Sequence, residues 1–475
     1  MHIVIFFLAY RFMTNVHSYT LLLFLFICLA GKAQRNTDVA STSRPNIIFI
    51  LTDDQRLDAL GATGNTIIHT PNIDKIARKG ILFSNAYVTT SICCVSRASI
   101  LSGQYMLRHK IEDFATPFTD EALQQTYPLL LRKAGYTTGF IGKFGIGTKD
   151  PSPALFDYWA CSKEMDHQYH LSNTKGEKVH NTDSISNAIL QFLGQHGTQT
   201  PFCLSVSFKA PHELDGSPPT YPVQEKFKTL YVNDNIPEPL TADPAYWNNF
   251  PDFFRTDKNI ARIRWKPLFS TPELYQQTVK NYYRMITGVD EAMGKMMEKL
   301  QQLGIAGNTV IVYMSDNGFS LGEHGLEGKW YPYEESVRVP LIIFDPRRAP
   351  AQNGKIARQM ALNIDIAPTL LSLAGVATPG RMQGQDLFAL TDNKIPERKD
   401  FFYKHTFAGT PALPQSEAVI SKSMKYIIYT EHHYEELYDL SRDPYETTNL
   451  AGNGKYKKQM AYFRKRLETL KRNAL

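Results

Sequence analysis

Cysteine is scarce, with five in 475 residues, which excludes a disulfide-stapled secreted scaffold. Cys93 and Cys94 are adjacent and poorly placed to pair with each other, and Cys28 lies near the start. Cys161 with Cys203 is the pairing that spacing leaves open. Charge of one sign is also lacking: 52 Lys and Arg stand against 46 Asp and Glu, for a formal net charge of +6. The dense basic stripe of a nucleic-acid binder is absent, and no nucleic-acid partner is expected. The one basic concentration, Lys455 to Arg472, reads as the solvated face of a terminal helix. Long apolar runs do not recur after residue 33, which excludes a polytopic membrane protein. No repeat period is present, and neither CxxC nor HExxH occurs to suggest zinc. What remains is 43% hydrophobic and 21% charged, ordinary for a globular chain with a large core. The length is that of one large domain with a smaller one, or of several modest domains.

Leu21 to Ala30 (LLLFLFICLA) is apolar but too short to span a bilayer. Small residues follow at Gly31 and Ala33, so residues 1–33 read as a signal peptide cleaved after Ala33. Export to the periplasm or the medium follows, with no membrane span after cleavage.

The mature chain alternates short Val- and Ile-rich strands with helices. Strands are expected at 46–52, 137–141, 201–208, 308–314 and 339–344, and helices at 70–79, 127–134, 183–195, 272–303 and 364–374. This alternation predicts an α/β fold, a large, mostly parallel sheet sandwiched by helices. Past Arg398 the pattern changes to short strands near 400–406, 417–421, 424–429 and 437–440, then an amphipathic helix from Lys457. A smaller C-terminal antiparallel sheet with a helix is expected there. The domain reading is 34–397 for the catalytic α/β domain and 398–475 for the smaller one.

Asp53-Asp54, Lys143, His212 and Asp316-Asn317 each follow a predicted strand. Ligands of such sheets sit beyond the carboxyl ends of the strands, so these distant segments converge on one site. Asp and Asn are hard oxygen donors that suit Ca²⁺ or Mg²⁺. Clustered carboxylates are costly unless a cation sits among them. Thr90 to Gly103 runs from a polar turn into a helix, whose first amides can face an anion, with Arg97 one turn along.

Cys93-Cys94-Val95-Ser96-Arg97-Ala98-Ser99 resembles the signature C-x-P/A-S-R of the formylglycine-dependent sulfatases, within the alkaline phosphatase superfamily. The resemblance runs from Pro45 to Leu450. It includes Thr70-Pro71-Asn72-Ile73-Asp74, Ala210-Pro211-His212, Ser315-Asp316-Asn317-Gly318, Gly322-Glu323-His324-Gly325, Gly328-Lys329-Trp330 and Asp443-Pro444-Tyr445-Glu446.

The resemblance implies that a maturation enzyme oxidises Cys93 to formylglycine, whose hydrate attacks the sulfur of a sulfate ester. It places Asp53, Asp54, Asp316, Asn317 and the modified Cys93 around one divalent cation, Ca²⁺ with Mg²⁺ as the alternative. Arg97, Lys143 and Lys329 would hold the hydrate and the sulfate oxygens. His212, with Lys329, would protonate the leaving alcohol. Two positions depart from the family pattern. Val95 stands where Pro or Ala is usual, and Gly145 stands where Gly-Lys-Trp-His would put a histidine thought to help expel sulfate. His167, His170, His324 and His405 are the candidates to replace it.

Export and the family together imply a sulfated carbohydrate substrate. Glu213, His324 and His405 are candidate substrate contacts, and Tyr158, Trp159, Trp330 and Tyr331 are candidate stacking surfaces. The insertion 213–266, rich in Pro and aromatics, is a candidate lid. Two other readings remain: a phosphonate or phosphate ester hydrolase of the same superfamily, and a catalytically impaired sulfated-glycan-binding protein.

Overall fold

The computed structural model describes residues 44–173, 175–198, 201–406 and 413–475. The expected signal peptide lies outside them. No described helix is long and apolar enough to cross a membrane.

The central sheet has eight strands: β1 (Asn46–Asp53), β2 (Ile81–Tyr87), β3 (Thr137–Gly142), β4 (Tyr158–Ala160), β5 (Phe202–Pro211), β6 (Thr309–Ser315), β7 (Leu341–Phe344) and β8 (Lys355–Leu362). Their order across the sheet is β8-β2-β7-β6-β1-β5-β3-β4. Within this sheet only β7 runs antiparallel to its neighbours. β1, β5 and β6 are buried along their whole length, because both faces of the sheet are covered.

Two apolar layers flank the sheet. One contains Ile48, Ile50, Val206 and Tyr313 with α5 (Asn181–His196) and α6 (Pro272–Gln302). The other contains Phe49, Leu51, Val312 and Met314 with α2 (Cys93–Ser102), α3 (Tyr127–Lys133) and α7 (Ile366–Leu373). Alternate residues of β1 therefore feed opposite layers, as the two-residue period of a strand requires. α1 (Pro71–Lys79) begins with Pro at its first position, and Asp290 of α6 accepts hydrogen bonds from the Asn72 and Ile73 amides at its free end. α4 is the short helix Lys163–His167, capped by Ser162.

Parallel register delivers the site. Thr52 lies opposite Ser315 on β6, and Asp53 lies opposite Pro211 on β5 after a shift in register. Asp53-Asp54, Asp316-Asn317 and His212 thereby emerge side by side. Cys161 and Cys203 are both free, so that pairing does not form. Cys203 pairs with Thr138 of β3, whereas Cys161 follows Ala160 of β4, which pairs with Ile141. Two strand spacings of about 4.8 Å each already exceed the reach of a disulfide.

The C-terminal segment forms an antiparallel sheet, β9 (Asp400–His405), β10 (Ser416–Ser421), β11 (Met424–Tyr429) and β12 (Tyr434–Asp439), followed by α8 (Lys457–Ala474) as a terminal helix. It buttresses the segment before α2. The Lys404 amide donates to the Thr89 carbonyl at 3.2 Å, and the Tyr403 hydroxyl lies 2.6 Å from Ser91 Oγ and donates to the Trp330 carbonyl at 2.9 Å. Lys425 of β11 is fully buried and ion-pairs with Glu334 and Glu446, each at 2.8 Å. Burial pushes Glu446 up to about 7, so this carboxyl depends on its lysine. Lys425→Met strands both carboxyls and should cost about 3–5 kcal/mol, seen as a lower midpoint in denaturant. The deficit should shrink as pH falls, because Glu446, raised by burial, protonates first in the folded state.

Candidate active site

The carboxyl ends of β1, β3, β5 and β6 and the start of α2 enclose one charged cluster. Asp53, Asp54 and Asp316 are buried, as are Arg97, Lys143 and Lys329. Lys143 Nζ lies 2.5 Å from Asp53, and Arg97 Nε lies 2.8 Å from Asp316. Lys329 Nζ contacts both oxygens of Asp54 at 2.6 Å. Arg97 is held further by the Lys143 carbonyl at 2.8 Å and by Ser207. Asn317 donates to Asp54 at 2.6 Å. Asp54 has φ of 65°, a left-handed conformation that Asp tolerates better than most residues and that turns it sharply after β1.

Burial alone would raise Asp53, but Lys143 and Arg97 hold it well below the usual carboxylate range. Asp54 stays well above that range despite Lys329, because burial is joined by repulsion from Asp53, Glu213 and Asp316. Burial and Asp53 push Asp316 up to about 6. Asp53 Oδ1 and Asn317 Oδ1 are buried with no hydrogen-bond partner. Orphaned hard oxygens beside crowded carboxylates are what a divalent cation would satisfy. One ligand atom each from Asp53, Asp54 and His212 also lies within 4.8 Å of the others. Asp53 and Asp54 of the expected donors belong to that group, whereas Asp316 and Cys93 lie outside it.

Cys93 is the first residue of α2 and is almost fully buried beside this cluster. Burial raises its thiol, so the unmodified side chain stays protonated and is a poor nucleophile. Cys94 and Val95 face the apolar core instead. Burial and Lys329 hold His212 well below its ordinary value. Its neutral ring has Nδ1 at 2.6 Å from the Glu213 carbonyl, which assigns the proton to Nδ1 and turns Nε2 toward Asp54 at 3.5 Å.

A cleft of about 610 Å³ opens over Cys93, Lys143, His212 and Lys329. Glu213 lines it but is tied to Arg264, which also meets Glu327 at 3.0 Å and Asp215 at 3.3 Å. Arg264 and Ile260 belong to the insertion, so that segment does reach the cleft. Of the four aromatic candidates only Trp330 lines it. Tyr158 and Trp159 pack on the outer strand β4, and Tyr331 is in the core.

His324 and His405 are not brought to the cleft. His324 is stacked on Tyr333 with ring centroids 5.5 Å apart, and burial holds it down at about 4. His405 is buried on β9, where burial holds it at about 3. His324 also lies against Tyr246 and Phe250, and both ring nitrogens of His405 are buried without a hydrogen-bond partner, features that their neighbours in sequence do not reveal. His170 lines a separate groove with His180 and Lys226, while His167 is exposed on the wall of the cleft. Lys209 on β5 also lines the cleft, and the sequence reading missed it. Its place three residues before His212 was the available signal.

The sequence model of the Sulfatase family matches residues 45–376, and that of the N-sulphoglucosamine sulphohydrolase C-terminal region matches residues 322–473. An N-acetylglucosamine-6-O-sulfatase from Bacteroides thetaiotaomicron is 29% identical over 91% of this chain and 87% of its own. A solved structure in complex with its substrate D-glucosamine-2-N,6-O-disulfate superposes with TM-score 0.78 at 28% identity, covering 91% of this chain and 98% of its own. The phosphonate monoester hydrolase of Agrobacterium radiobacter shares the fold, with TM-score 0.75 at 21% identity over 91% and 96% of the two chains.

If the carboxylate cluster takes a cation, Ca²⁺ or Mg²⁺ should raise the unfolding temperature and a chelator should reverse the gain. A cation at a hundred times its dissociation constant adds about 2.7 kcal/mol. Asn317→Ala should move the response to higher cation concentration. No shift in the unmodified chain at any cation concentration would refute the metal reading.

Proposed function

Because the chain belongs to the sulfatase family and is a sulfuric ester hydrolase, we propose that it is an exported enzyme that removes sulfate from carbohydrates. The substrate reading is supported by the relatives that act on or bind sulfated glucosamine. 6-O-sulfated N-acetylglucosamine is the first substrate to test. Export is supported by the apolar run Leu21 to Ala30 and the small residues after it. Residues 34–397 are read as the catalytic domain and 398–475 as the smaller one.

The observation that carries the reading is the meeting of Cys93 with Arg97, Lys143 and Lys329 around three buried carboxylates in one cleft. A sulfate ester is an anion, so its oxygens need neutralising before a nucleophile can approach. Formylglycine made from Cys93 by a maturation enzyme would supply a hydroxyl that the buried thiol cannot. A Ca²⁺ or Mg²⁺ ion held by Asp53, Asp54, Asp316 and Asn317 with residue 93 would supply Lewis-acid polarisation.

The chain's own residues do the rest. Lys143 and Lys329 face the cleft and receive the sulfate oxygens. Arg97 lies behind them, pinned by Asp316 and the Lys143 carbonyl, and fixes the start of α2. The Glu213 carbonyl orients the His212 ring so that Nε2 addresses the leaving oxygen; that nitrogen carries no proton in the neutral ring, so His212 donates only after Nε2 has taken one up, and the Lys329 ammonium beside it is the resident proton source. Trp330 and Ile260 provide apolar wall for a sugar ring.

Cys93→Ala should abolish sulfate release while leaving saccharide binding measurable, with formylglycine at position 93 read by peptide mass. His212→Gln should lower kcat by about 10²–10⁴ for a sugar sulfate. The loss should be much smaller for an aryl sulfate, whose phenolate leaves without a proton. Unchanged sulfate release by Cys93→Ala would defeat the mechanism, and equal losses on both ester types would remove His212 as proton donor.

A further inference from the structure

Every cation considered so far in the charged cluster has a carboxylate against it: Lys143 has Asp53, Lys329 has Asp54, and Arg97 has Asp316. Lys209 does not. It is 1% exposed on β5, accompanied by one hydrogen bond to the Asp166 carbonyl at 3.1 Å and the Tyr169 ring at 5.4 Å. Among the described residues it makes no ion pair. An unpaired buried ammonium is costly, and a fold keeps one where an arriving anion repays the cost.

The surroundings of Lys209 fit that arrival. It lines the same cleft as Lys143, together with Lys163 and His167 of α4. The Asp166 carboxylate on that helix is taken by Lys163 at 3.1 Å, and Lys163 also meets Asp150 at 3.0 Å. The acids Glu213 and Asp215 that also line the cleft are held by Arg264. Lys163 and Arg264 are thus each committed to carboxylates, and Lys209 is left among the described residues of this wall without one.

Gly145 lines the same cleft beside Arg97 and Lys143. It has φ of 69°, and a Cβ built on it would lie 3.1 Å from Arg97 Cδ and 3.2 Å from Lys143 Cε. A side chain there would crowd the sulfate-holding cations on the side of the cleft lined by Gly145, Gly147 and Lys209. Glycine leaves that volume to the substrate.

We propose that Lys209, with His167, forms a second anion subsite, so that the preferred substrate carries a second anionic group close to the sulfate that is removed. The second group is a sulfate or a carboxylate on the same or the adjoining ring. This rests on the carbohydrate-sulfatase reading and sharpens it to multiply charged saccharides. Burial and the nearby Lys143 lower the hold of Lys209 on its proton, and an anion beside it would restore that hold.

The test compares three ligands on the matured full-length protein: 6-O-sulfated N-acetylglucosamine, its N-sulfated counterpart, and the N-acetyl form linked to a uronic acid. Dissociation constants are measured by calorimetry with product or with slow substrate, alongside kcat/KM for sulfate release. At least one doubly charged ligand should bind about tenfold or more tightly than the singly charged one, and which one identifies the second anion as sulfate or carboxylate. Lys209→Met should shrink that ratio toward one, losing more on the doubly than on the singly charged ligand. His167→Ala, at an exposed position where folding is safe, should shrink it partly. The preference should also weaken as ionic strength rises.

Equal affinity for all three ligands would overturn the subsite, and so would a Lys209→Met variant that weakens all of them alike. A preference that depends on Lys209 in binding, with no sulfate released from any ligand, would uphold the subsite and defeat the carbohydrate-sulfatase reading instead.

Discussion

Three carboxylates and three cations buried together at the strand ends are the constraint on which the rest of the molecule depends. Placing Asp53, Asp54 and Asp316 in one dry pocket would be prohibitive without compensation. Lys143, Lys329 and Arg97 supply most of it, each from a different segment. The array is incomplete on its own terms, since Asp54 and Asp316 still hold their protons too strongly and two oxygens lack partners. A site that leaves hard donors unsatisfied is prepared for a cation. One that collects lysines over them is prepared for an anion.

Holding such an array requires rigid supports. The register of β1 against β5 and β6 aligns three strand ends within the sheet. The Arg97 guanidinium ties α2 to the loop after β3 and to Ser207 of β5. The C-terminal sheet contributes from the other side, where Tyr403 links Ser91 to the Trp330 carbonyl beside Lys329. Activity therefore depends on a sheet that itself lines none of the cleft, and the Lys425 ion pairs hold that sheet to Glu334. The cleft is asymmetric in charge: on one wall a single Arg264 meets three carboxylates, and on the other Lys209 has none.

Much of this was legible in the residues. β1, β5 and β6 are continuous Ile- and Val-rich runs because both faces are covered, and such runs announce themselves. α6 keeps its apolar stripe for nearly nine turns. The central-sheet strands that escaped reading are β2, β8 and the three-residue β4. β2 carries Ser84 and Asn85 at its partly exposed middle, and β8 at the sheet edge carries Lys355, Arg358 and Gln359. Half-exposed strands lose the apolar signature that full burial enforces. β7 was read as a strand, but its direction follows from pairing, which no local pattern records.

The sequence by itself determined the strand–helix alternation, the Asp53-Asp54 and Asp316-Asn317 pairs at the ends of β1 and β6, and the Cys93–Arg97 segment. Each is a local pattern whose chemistry is carried by neighbours along the chain. Only tertiary structure decided which charges meet. It buried His324 and His405 away from the cleft, kept Cys161 from Cys203, and brought Arg264 from the far end of the insertion onto Glu213 at its start and onto Glu327. It also left Lys209 buried without a counter-ion and Gly145 beside the cations as open space. Whether a charge is paired depends on what burial removes from water and what packing sets opposite it, and both are properties of the folded whole.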